Sequence, residues 1–222
     1  WLAERLALPQ RLLRWDEISL SGGDRHRLEQ LHPTEIAAIV HELSPGEGSD
    51  LVESLTDEVA ADAMEEVHPD RQADLLDDMA PERAADILQE MAPDEAADIL
   101  QDLPDEKAQE LLRLMEKDEA TDVAELLTHP EDSVGGIMTT DYATLPPHLT
   151  AAEALAELRS RFAGELVTYY VYVTDTAEHL LGSLSLWQLI VADPQARVAD
   201  LMETKVVSVR AKQEAKEAAR LI

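Results

Sequence analysis

Apolar residues between positions 32 and 128 recur in short blocks with helical spacing. Ala84, Ile87, Leu88 and Met91 stand at i, i+3, i+4 and i+7, and residues 96–103 repeat this pattern twelve positions later. Such spacing places the apolar side chains on one face of a helix. A helix of about ten residues is not stable alone in water. The blocks therefore predict a stack of short helices that bury their faces against one another.

Each predicted helix begins at a proline or a capping residue. The prolines are separated by twelve or twenty-four positions: Pro33, Pro45, Pro69, Pro81 and Pro93. Proline suits the first helical position because its missing N–H would have no partner there. Thr56 is a further helix start, and His32 and His68 precede prolines, which indicates a capping or loop role.

The pattern changes after Pro130. Residues 149–162 keep helical spacing, with Thr150 as the N-cap and Glu153 completing a capping box. Residues 166–173 and 181–186 predict two strands, and residues 187–193 predict a helix. The predicted order of this module, residues 133–196, is β-α-β-β-α.

A second copy of the module begins near the end of the chain. Residues 198–202 resemble residues 134–138, residues 206–209 predict a strand, and residues 214–222 predict a helix. Residues 1–31 are of uncertain fold, with a loop expected at residues 21–23. The predicted fold class is α + α/β: an all-α superhelical stack, a β-α-β-β-α module and the truncated start of a second one.

Charge divides the chain in a similar way. The formal net charge is −29, and residues 42–132 hold 30 acidic and five basic residues, a net charge of −25. Such a field repels nucleic acid and anionic lipid headgroups, and it attracts metal ions or basic partners. We therefore expect no nucleic-acid partner.

The acidic residues of the repeats form two columns. Six carboxylate pairs are spaced four residues apart: Glu58/Asp62, Asp70/Asp74, Glu82/Asp86, Asp94/Asp98, Glu106/Glu110 and Asp118/Asp122. The first column lies in the first helical turn, where the helix dipole favours negative charge by about 0.3–1 kcal/mol. The second column is mid-helix, where aspartate is unfavourable and like charges four apart cost about 0.2–0.5 kcal/mol. A solvated face explains any single member, but the series of six points to a cation.

Several function classes are excluded or disfavoured. The chain has no cysteine, which excludes disulfides and thiolate chemistry. It has no glycine-rich phosphate loop and no Ser/His/Asp signature, so we predict that it is not an enzyme. No apolar run approaches the roughly eighteen residues of a membrane span. Because the chain starts at Trp1 and stops within a helical run, we interpret it as a soluble fragment of a longer protein.

The acidic repeats followed by Gly135-Gly136-Ile137-Met138-Thr139 resemble the cytosolic part of MgtE-type magnesium transporters and channels. Residues 169–173, 182–186 and 189–194 carry the same resemblance. In that family a superhelical N domain precedes two CBS modules, and a membrane-spanning pore follows. The resemblance implies four parts: residues 1–31 of uncertain fold, the N domain over residues 32–128, CBS module 1 over residues 133–196, and the start of CBS module 2 over residues 197–222.

The resemblance implies a feedback sensor at the cytoplasmic face of the cell membrane. Mg²⁺ bound between the N domain and the CBS modules would hold a compact arrangement in which the channel is closed. The implied partners are the transmembrane pore domain and a second copy of the chain, paired through the CBS modules. The charge agrees with this, because self-repulsion opposes a compact state and bound divalent cations favour it.

By the same resemblance, four acidic residues are candidate metal ligands. Asp94 and Asp98 stand where the N domain supplies magnesium ligands, and Asp62 lies near another. Glu214 stands at a ligand position of the second CBS module, although Lys216 replaces a further acid there. Mg²⁺ keeps several waters and takes one or two carboxylates, which suits open sites. Ca²⁺ accepts the same oxygens, and the sequence does not distinguish the two ions.

An adenine nucleotide is a second candidate ligand, again by resemblance. CBS pairs bind such nucleotides through a Gly-x-x-Ser/Thr-x-x-Asp pattern, which here reads Gly182, Ser185 and Gln188. The amide of Gln188 is a poorer acceptor for ribose hydroxyls than a carboxylate. Tyr170 lies on the strand that contacts nucleotide in the family, with a core role as the alternative. Trp187 is either a stacking surface or a partly buried aromatic residue.

Two other interpretations stay open. The chain could belong to a soluble CBS-containing sensor without a pore that binds a nucleotide or a partner. Alternatively, its acidity could be an adaptation to high salt without a specific metal site. In that case molar potassium would compact the chain as well as millimolar magnesium does.

Overall fold

The structure is a computed structural model that describes residues 22–161 and 169–221. The chain forms two compact units, one ending at Pro130 and the other beginning at Glu131. The first unit contains helices, whereas the second combines a small sheet with short helices.

The described part of the first unit contains nine helices. They are α1 (Gly22–Leu28), α2 (Pro33–Glu42), α3 (Pro45–Glu53), α4 (Asp57–Glu65), α5 (Pro69–Asp78), α6 (Pro81–Glu90), α7 (Pro93–Asp102), α8 (Asp105–Leu114) and α9 (Lys117–Leu126). The five helices predicted to start at proline do so. His32 and His68 act as N-caps, because Nδ1 of each accepts the N–H two residues later at 3.4 Å. The expected loop at residues 21–23 is wrong for Gly22 and Gly23, which begin α1; glycine is tolerated near a helix start.

Each helix of the repeats packs mainly on the helix two places along the chain. Thus α2 packs on α4, α4 on α6 and α6 on α8, while α3 packs on α5, α5 on α7 and α7 on α9. The periodic apolar residues fill the space between these helices, and Ile87 and Leu88 are completely buried. Burying a side chain of this size stabilises the fold by about 1.5–3 kcal/mol. The predicted stack is therefore confirmed.

Hydrogen bonds that span 27 residues connect the repeats. A side chain near the end of one helix accepts the backbone N–H of a later N-cap residue, and we call each such bond a rung. The rungs join His41 to His68 (3.2 Å), Glu53 to Ala80 (3.0 Å), Glu65 to Ala92 (2.8 Å) and Gln89 to Glu116 (3.0 Å). Asp77 holds the same place in α5, but its counterpart is Pro104, which has no N–H to donate.

The third helical position carries a second long-range contact in two repeats. Arg71 donates to the backbone oxygens of His41 (3.0 Å) and Leu43 (2.8 Å). Arg83 donates to the backbone oxygen of Leu55 at 2.8 Å and pairs with Asp57. These arginines satisfy carbonyls at helix ends that lack intrahelical partners. The same position holds Glu95 in α7, Lys107 in α8 and Glu119 in α9.

The second unit has the predicted order of elements. It contains a 3₁₀ turn (Gly135–Ile137), β1 (Thr144–Leu145), α10 (Ala151–Arg161), β2 (Tyr170–Thr174), β3 (Leu180–Ser185), α11 (Leu186–Val191), α12 (Val198–Leu201) and α13 (Ala215–Ala218). Strand β1 pairs in parallel with β2, which pairs antiparallel with β3. Val171 and Val173 of β2 are buried in the core with Leu184 and Leu189. The β-α-β-β-α prediction is confirmed.

Local predictions in this unit have mixed outcomes. The capping box of α10 is confirmed, since Glu153 accepts the N–H of Thr150 at 2.8 Å. The strand predicted over residues 166–173 is present from Tyr170, and residues 166–168 lie outside the described residues. The strand predicted over residues 206–209 is wrong. A β-branched run forms a strand only beside a partner, and no described strand pairs with it. Within residues 22–161 and 169–221, every helix is too short or too polar to cross a bilayer.

Candidate functional site: an acidic surface between α4 and α7

The three candidate ligands of the first unit lie on two helices. Asp62 is an exposed residue of α4. Asp94 is in the first turn of α7, where it is partly exposed, and Asp98 is exposed one turn later. Residues four apart share a helix face, and the apolar residues of α7, such as Ile99 and Leu100, are buried on the other side.

The rung at Glu65 links these two helices. Glu65 ends α4, three residues after Asp62, and its Oε1 accepts the N–H of Ala92 at 2.8 Å. Ala92 is the N-cap of α7, two residues before Asp94. One hydrogen bond therefore ties the end of the helix that carries Asp62 to the start of the helix that carries Asp94 and Asp98.

The pKa of Glu65 is affected by acidic residues on both helices. Partial burial raises the pKa of Glu65 above its ordinary 4.5, the hydrogen bond from Ala92 opposes this, and the charges of Asp62, Asp94 and Glu66 raise it further. Each raising effect disfavours the ionised carboxylate. Asp62 and Asp94 therefore lie close enough to Glu65 for their charges to oppose its ionisation.

Glu95 extends this field along α7. Although Glu95 is an exposed residue, loss of water around its carboxyl raises its pKa, and the charges of Asp94, Glu65 and Asp98 add to the effect. We call Asp62, Glu65, Asp94, Glu95 and Asp98 the α4–α7 acidic cluster. It contains the three candidate ligands of the helical repeats and two residues that the sequence analysis missed. The 27-residue spacing of the rungs is the signal that identifies Glu65.

The cluster offers carboxylate oxygens, which are the donors that Mg²⁺ prefers. Among the described residues, no three acidic or histidine side chains converge tightly enough to enclose a metal ion. An open surface of this kind suits Mg²⁺, since the ion retains several waters and takes one or two carboxylates. The unfavourable interactions among the acids are of the kind that a bound divalent cation would reduce.

A related acidic neighbourhood lies two repeats later. Loss of water raises the pKa of Glu119 in α9, and the charges of Asp122, Asp118, Glu116 and Glu90 raise it further. Glu119 occupies the same helical position as Glu95, but the neutral Gln89 replaces Glu65 in the rung. Closely spaced acidic residues therefore surround the third helical position in both α7 and α9.

Glu214, the fourth candidate ligand, belongs to the second unit. It is the N-cap of α13, and its carboxylate forms an ion pair with the Lys216 ammonium group. The following N–H, of Ala215, donates to the backbone oxygen of Asp132 at 2.9 Å. A metal ion at Glu214 would compete with the Lys216 charge, in line with the sequence argument against a site of the family's full composition.

The candidate nucleotide residues meet at the start of α11. Ser185 is the N-cap of α11, and Gln188 Oε1 accepts the Ser185 N–H at 2.7 Å and its hydroxyl at 2.9 Å. The Ser-x-x-Gln spacing is therefore also a capping box, which the sequence analysis did not identify. Tyr170 pairs with Ser185 across the sheet.

Two aromatic residues at this place face outwards. The exposed fraction is 60% for Tyr170 and 67% for Trp187. The alternatives of a core tyrosine and a partly buried tryptophan are therefore wrong. Gly182, the first residue of the pattern, has a packing role: a Cβ there would lie 2.8 Å from the Glu203 backbone oxygen.

Comparisons with known proteins agree with the two units. The family model for the MgtE intracellular N domain matches residues 31–132, and that for the CBS domain matches residues 134–194. Over 97 residues the chain is 43% identical to the magnesium transporter MgtE of Thermus thermophilus and 39% identical to that of Bacillus subtilis. Each alignment covers 44% of this chain and 22% of the relative. The match therefore spans about a fifth of the length of these relatives.

Two solved structures resemble nearly the whole chain. One is the cytosolic domain of the Mg²⁺ channel MgtE in complex with ATP, with a TM-score of 0.85 and 34% identity, covering 97% of this chain and 87% of that one. The other is the soluble part of a magnesium transporter, with a TM-score of 0.85 and 28% identity, covering 100% and 86%.

Proposed function

Because this chain belongs to the MgtE family of magnesium transporters and corresponds to its cytosolic N domain and CBS region, we propose that it is the magnesium-sensing regulatory region of such a transporter. Divalent cations bridge acidic surfaces and favour a compact state in which the pore is closed. The chain itself carries out no catalysis. The observation that carries this proposal is the α4–α7 acidic cluster, which contains three of the four candidate ligands.

Electrostatic repulsion supplies the switch. At low Mg²⁺ the carboxylates of the cluster repel one another. After loss of water, which is the larger cause, neighbouring negative charges are what raise the pKa values of Glu65 and Glu95 further. A hydrated Mg²⁺ ion beside Asp94 and Asp98, with Asp62 near, cancels part of that repulsion. A ligand that binds the compact state more tightly shifts the population towards it. Glu214 is the proposed contribution of the CBS side, weakened by Lys216.

The rest of the proposal follows the family. The four parts of the chain are residues 1–31, the N domain over residues 32–128, CBS module 1 over residues 133–196 and the start of CBS module 2 over residues 197–222. The partners are a transmembrane pore domain of the same protein and a second copy of the chain, joined through the CBS modules. The region acts at the cytoplasmic face of the membrane.

A magnesium titration of this chain tests the proposal. Small-angle scattering should show a smaller radius of gyration in millimolar Mg²⁺ than in chelator, and the melting temperature should rise, because a ligand of the folded state stabilises it. Matched titrations with Ca²⁺ and K⁺ separate a divalent site from general screening. An identical shape in chelator and in Mg²⁺ would contradict the proposal. Equal compaction by molar K⁺ would favour adaptation to high salt.

An adenine nucleotide is a second proposed ligand. The exposed Tyr170 and Trp187 beside the cap of α11 support it, as does the ATP bound to the related cytosolic domain of MgtE. Calorimetry with ATP and AMP, in a chain that carries both CBS modules, tests it. Gln188→Glu keeps the capping-box spacing and restores a carboxylate, so it should tighten binding. Absence of heat for both nucleotides in both chains would contradict this part.

A further inference from the structure

We propose that Glu65 is a positioning residue of the magnesium-sensing site, which acts through its hydrogen bond to Ala92. The bond holds the end of α4, with Asp62, against the start of α7, with Asp94 and Asp98. This inference rests on the proposed function, because it assumes that those three residues bind the cation. Glu65 itself needs no contact with the metal.

The local geometry supports this role. Asp62 and Glu65 are three residues apart, which is roughly 4.5 Å along a helix axis, so a restraint on Glu65 also restrains Asp62. Ala92 is the residue from which α7 starts, and its N–H is held at 2.8 Å. The charges of Asp62 and Asp94 both act on the Glu65 carboxyl. The restraint therefore lies within the electrostatic neighbourhood of the candidate ligands.

The other rungs show that the bond does not require a carboxylate. Gln89 makes the equivalent bond to Glu116 at 3.0 Å with an amide oxygen. Glutamine at position 65 should therefore keep the bond while removing the charge. The variants Glu65→Gln and Glu65→Ala thus separate position from charge.

The interrupted rung shows that the fold tolerates the loss of one bond. Pro104 cannot donate to Asp77, yet α5 and α8 are both formed. Glu65→Ala is therefore expected to fold. Apart from the modest loss of stability expected when one hydrogen bond is removed, its effect should be confined to the relative position of α4 and α7.

Glu53 is the matched control. Its rung to Ala80, at 3.0 Å, has the same form and lies one repeat earlier. The acids at the corresponding places are Asp50, Glu82 and Asp86, and Arg83 replaces Glu95. None of these is a proposed ligand, so Glu53→Ala removes the same kind of bond away from the site.

The experiment measures the Mg²⁺ midpoint of compaction and the melting temperature in chelator for four chains: the unchanged protein, Glu65→Ala, Glu65→Gln and Glu53→Ala. The two alanine variants should lower the melting temperature to a similar extent. Only Glu65→Ala should raise the midpoint, by about tenfold, as for loss of an outer-shell partner of a metal ligand. Glu65→Gln should rescue the midpoint to within a factor of about two, because the amide accepts the same bond.

The outcomes distinguish this inference from the proposed function. A glutamine variant as weak as the alanine variant would mean that Glu65 acts through charge, and would overturn the positioning role. An equal shift in Glu53→Ala would also overturn it. An unchanged midpoint in Glu65→Ala, beside a normal response of the unchanged protein, would refute this inference alone. No response of the unchanged protein would refute the proposed function.

Discussion

Repeats that share one backbone use their third helical position in opposite ways. In the early repeats, α5 and α6, this position is Arg71 or Arg83, and each arginine donates to carbonyl oxygens at an earlier helix end. In the late repeats, α7 and α9, it is Glu95 or Glu119, and loss of water followed by neighbouring negative charges raises the pKa of each carboxyl. One core position is buried in all four helices, where it holds Leu75, Ile87, Ile99 or Val123. The core therefore defines the helix, whereas the third position is available either for stability or for negative charge.

This difference suggests a division of roles within the first unit. The early repeats satisfy their helix ends with arginine, and an unsatisfied buried carbonyl costs about 1–3 kcal/mol. The late repeats lack this contact and concentrate repelling acids. We therefore expect divalent cations, and acidification from neutral pH towards 4.5, to affect α7 and α9. We expect neither change to affect α5 and α6.

The largest expected effect comes from the acidic columns. Asp94→Ala combined with Asp98→Ala should raise the Mg²⁺ midpoint of compaction about a hundredfold, if each carboxylate contributes at least the tenfold typical of an outer-shell partner. Scattering at increasing Mg²⁺ measures it. The control removes Asp70 and Asp74, the same columns in α5, and should change the midpoint little. Equal shifts in both variants would remove the distinction between early and late repeats.

Exchange of the third position tests the comparison directly. Arg83→Glu should lower the free energy of unfolding by about 1–3 kcal/mol, because the Leu55 carbonyl loses its donor. The reverse change, Glu95→Arg, should raise it by about 0.5–1.5 kcal/mol through a new bond to the Val67 carbonyl, which holds the corresponding place. Urea denaturation in chelator measures both. Effects of the same sign would show that the two positions are not equivalent.

Acidification should stabilise the first unit before it destabilises it. The folded-state pKa values of Glu65, Glu95 and Glu119 are raised. The folded state therefore binds protons more readily, and the free energy of unfolding in chelator should increase as pH falls from neutral towards 4.5.

Below that range the sign reverses. Hydrogen bonds from the Ser44 hydroxyl and N–H lower the pKa of Glu47, so its stabilisation is present above 4.5 and is lost as pH falls through the lowered value. Urea denaturation at a series of pH values measures both the rise of the free energy of unfolding above pH 4.5 and its fall below that pH. In the triple variant Glu65→Gln, Glu95→Gln and Glu119→Gln, the free energy of unfolding should change less between neutral pH and 4.5. An unchanged pH dependence in this range would mean that these three glutamates do not cause it.

The smallest expected effect concerns the interrupted rung. Pro104→Ala adds an N–H that can bind Asp77, worth about 0.5–1.5 kcal/mol. It also gives back about 0.4–1 kcal/mol of chain entropy to the unfolded state, so the net change should be near zero. A double-mutant cycle with Asp77→Ala isolates the bond as a coupling energy. A coupling energy of zero would mean that Asp77 does not accept a hydrogen bond from the new N–H at position 104.

The accuracy of the sequence predictions depended on the range of the interactions behind them. The start of α6 at Pro81 and the capping box between Thr150 and Glu153 were predictable, because both involve neighbours in the chain. The strand at residues 206–209 was predicted wrongly, since a strand also needs a partner that local pattern does not reveal. The interpretation of Tyr170 as a possible core residue failed for a similar reason: strand alternation identifies two faces but not which one is covered.

The amino-acid sequence alone determined the twelve-residue helical repeat, its buried stripe and its two acidic columns, because helix starts, periodicity and charge spacing act over a few residues. Only the tertiary structure decided that Glu65 would bind Ala92 and that Asp62 would share a field with Asp94 and Asp98. The hydrogen bond joins residues 27 positions apart, and both features depend on how the helices pack on one another. The physical reason is that packing, and not spacing along the chain, sets the distance between charges on different helices.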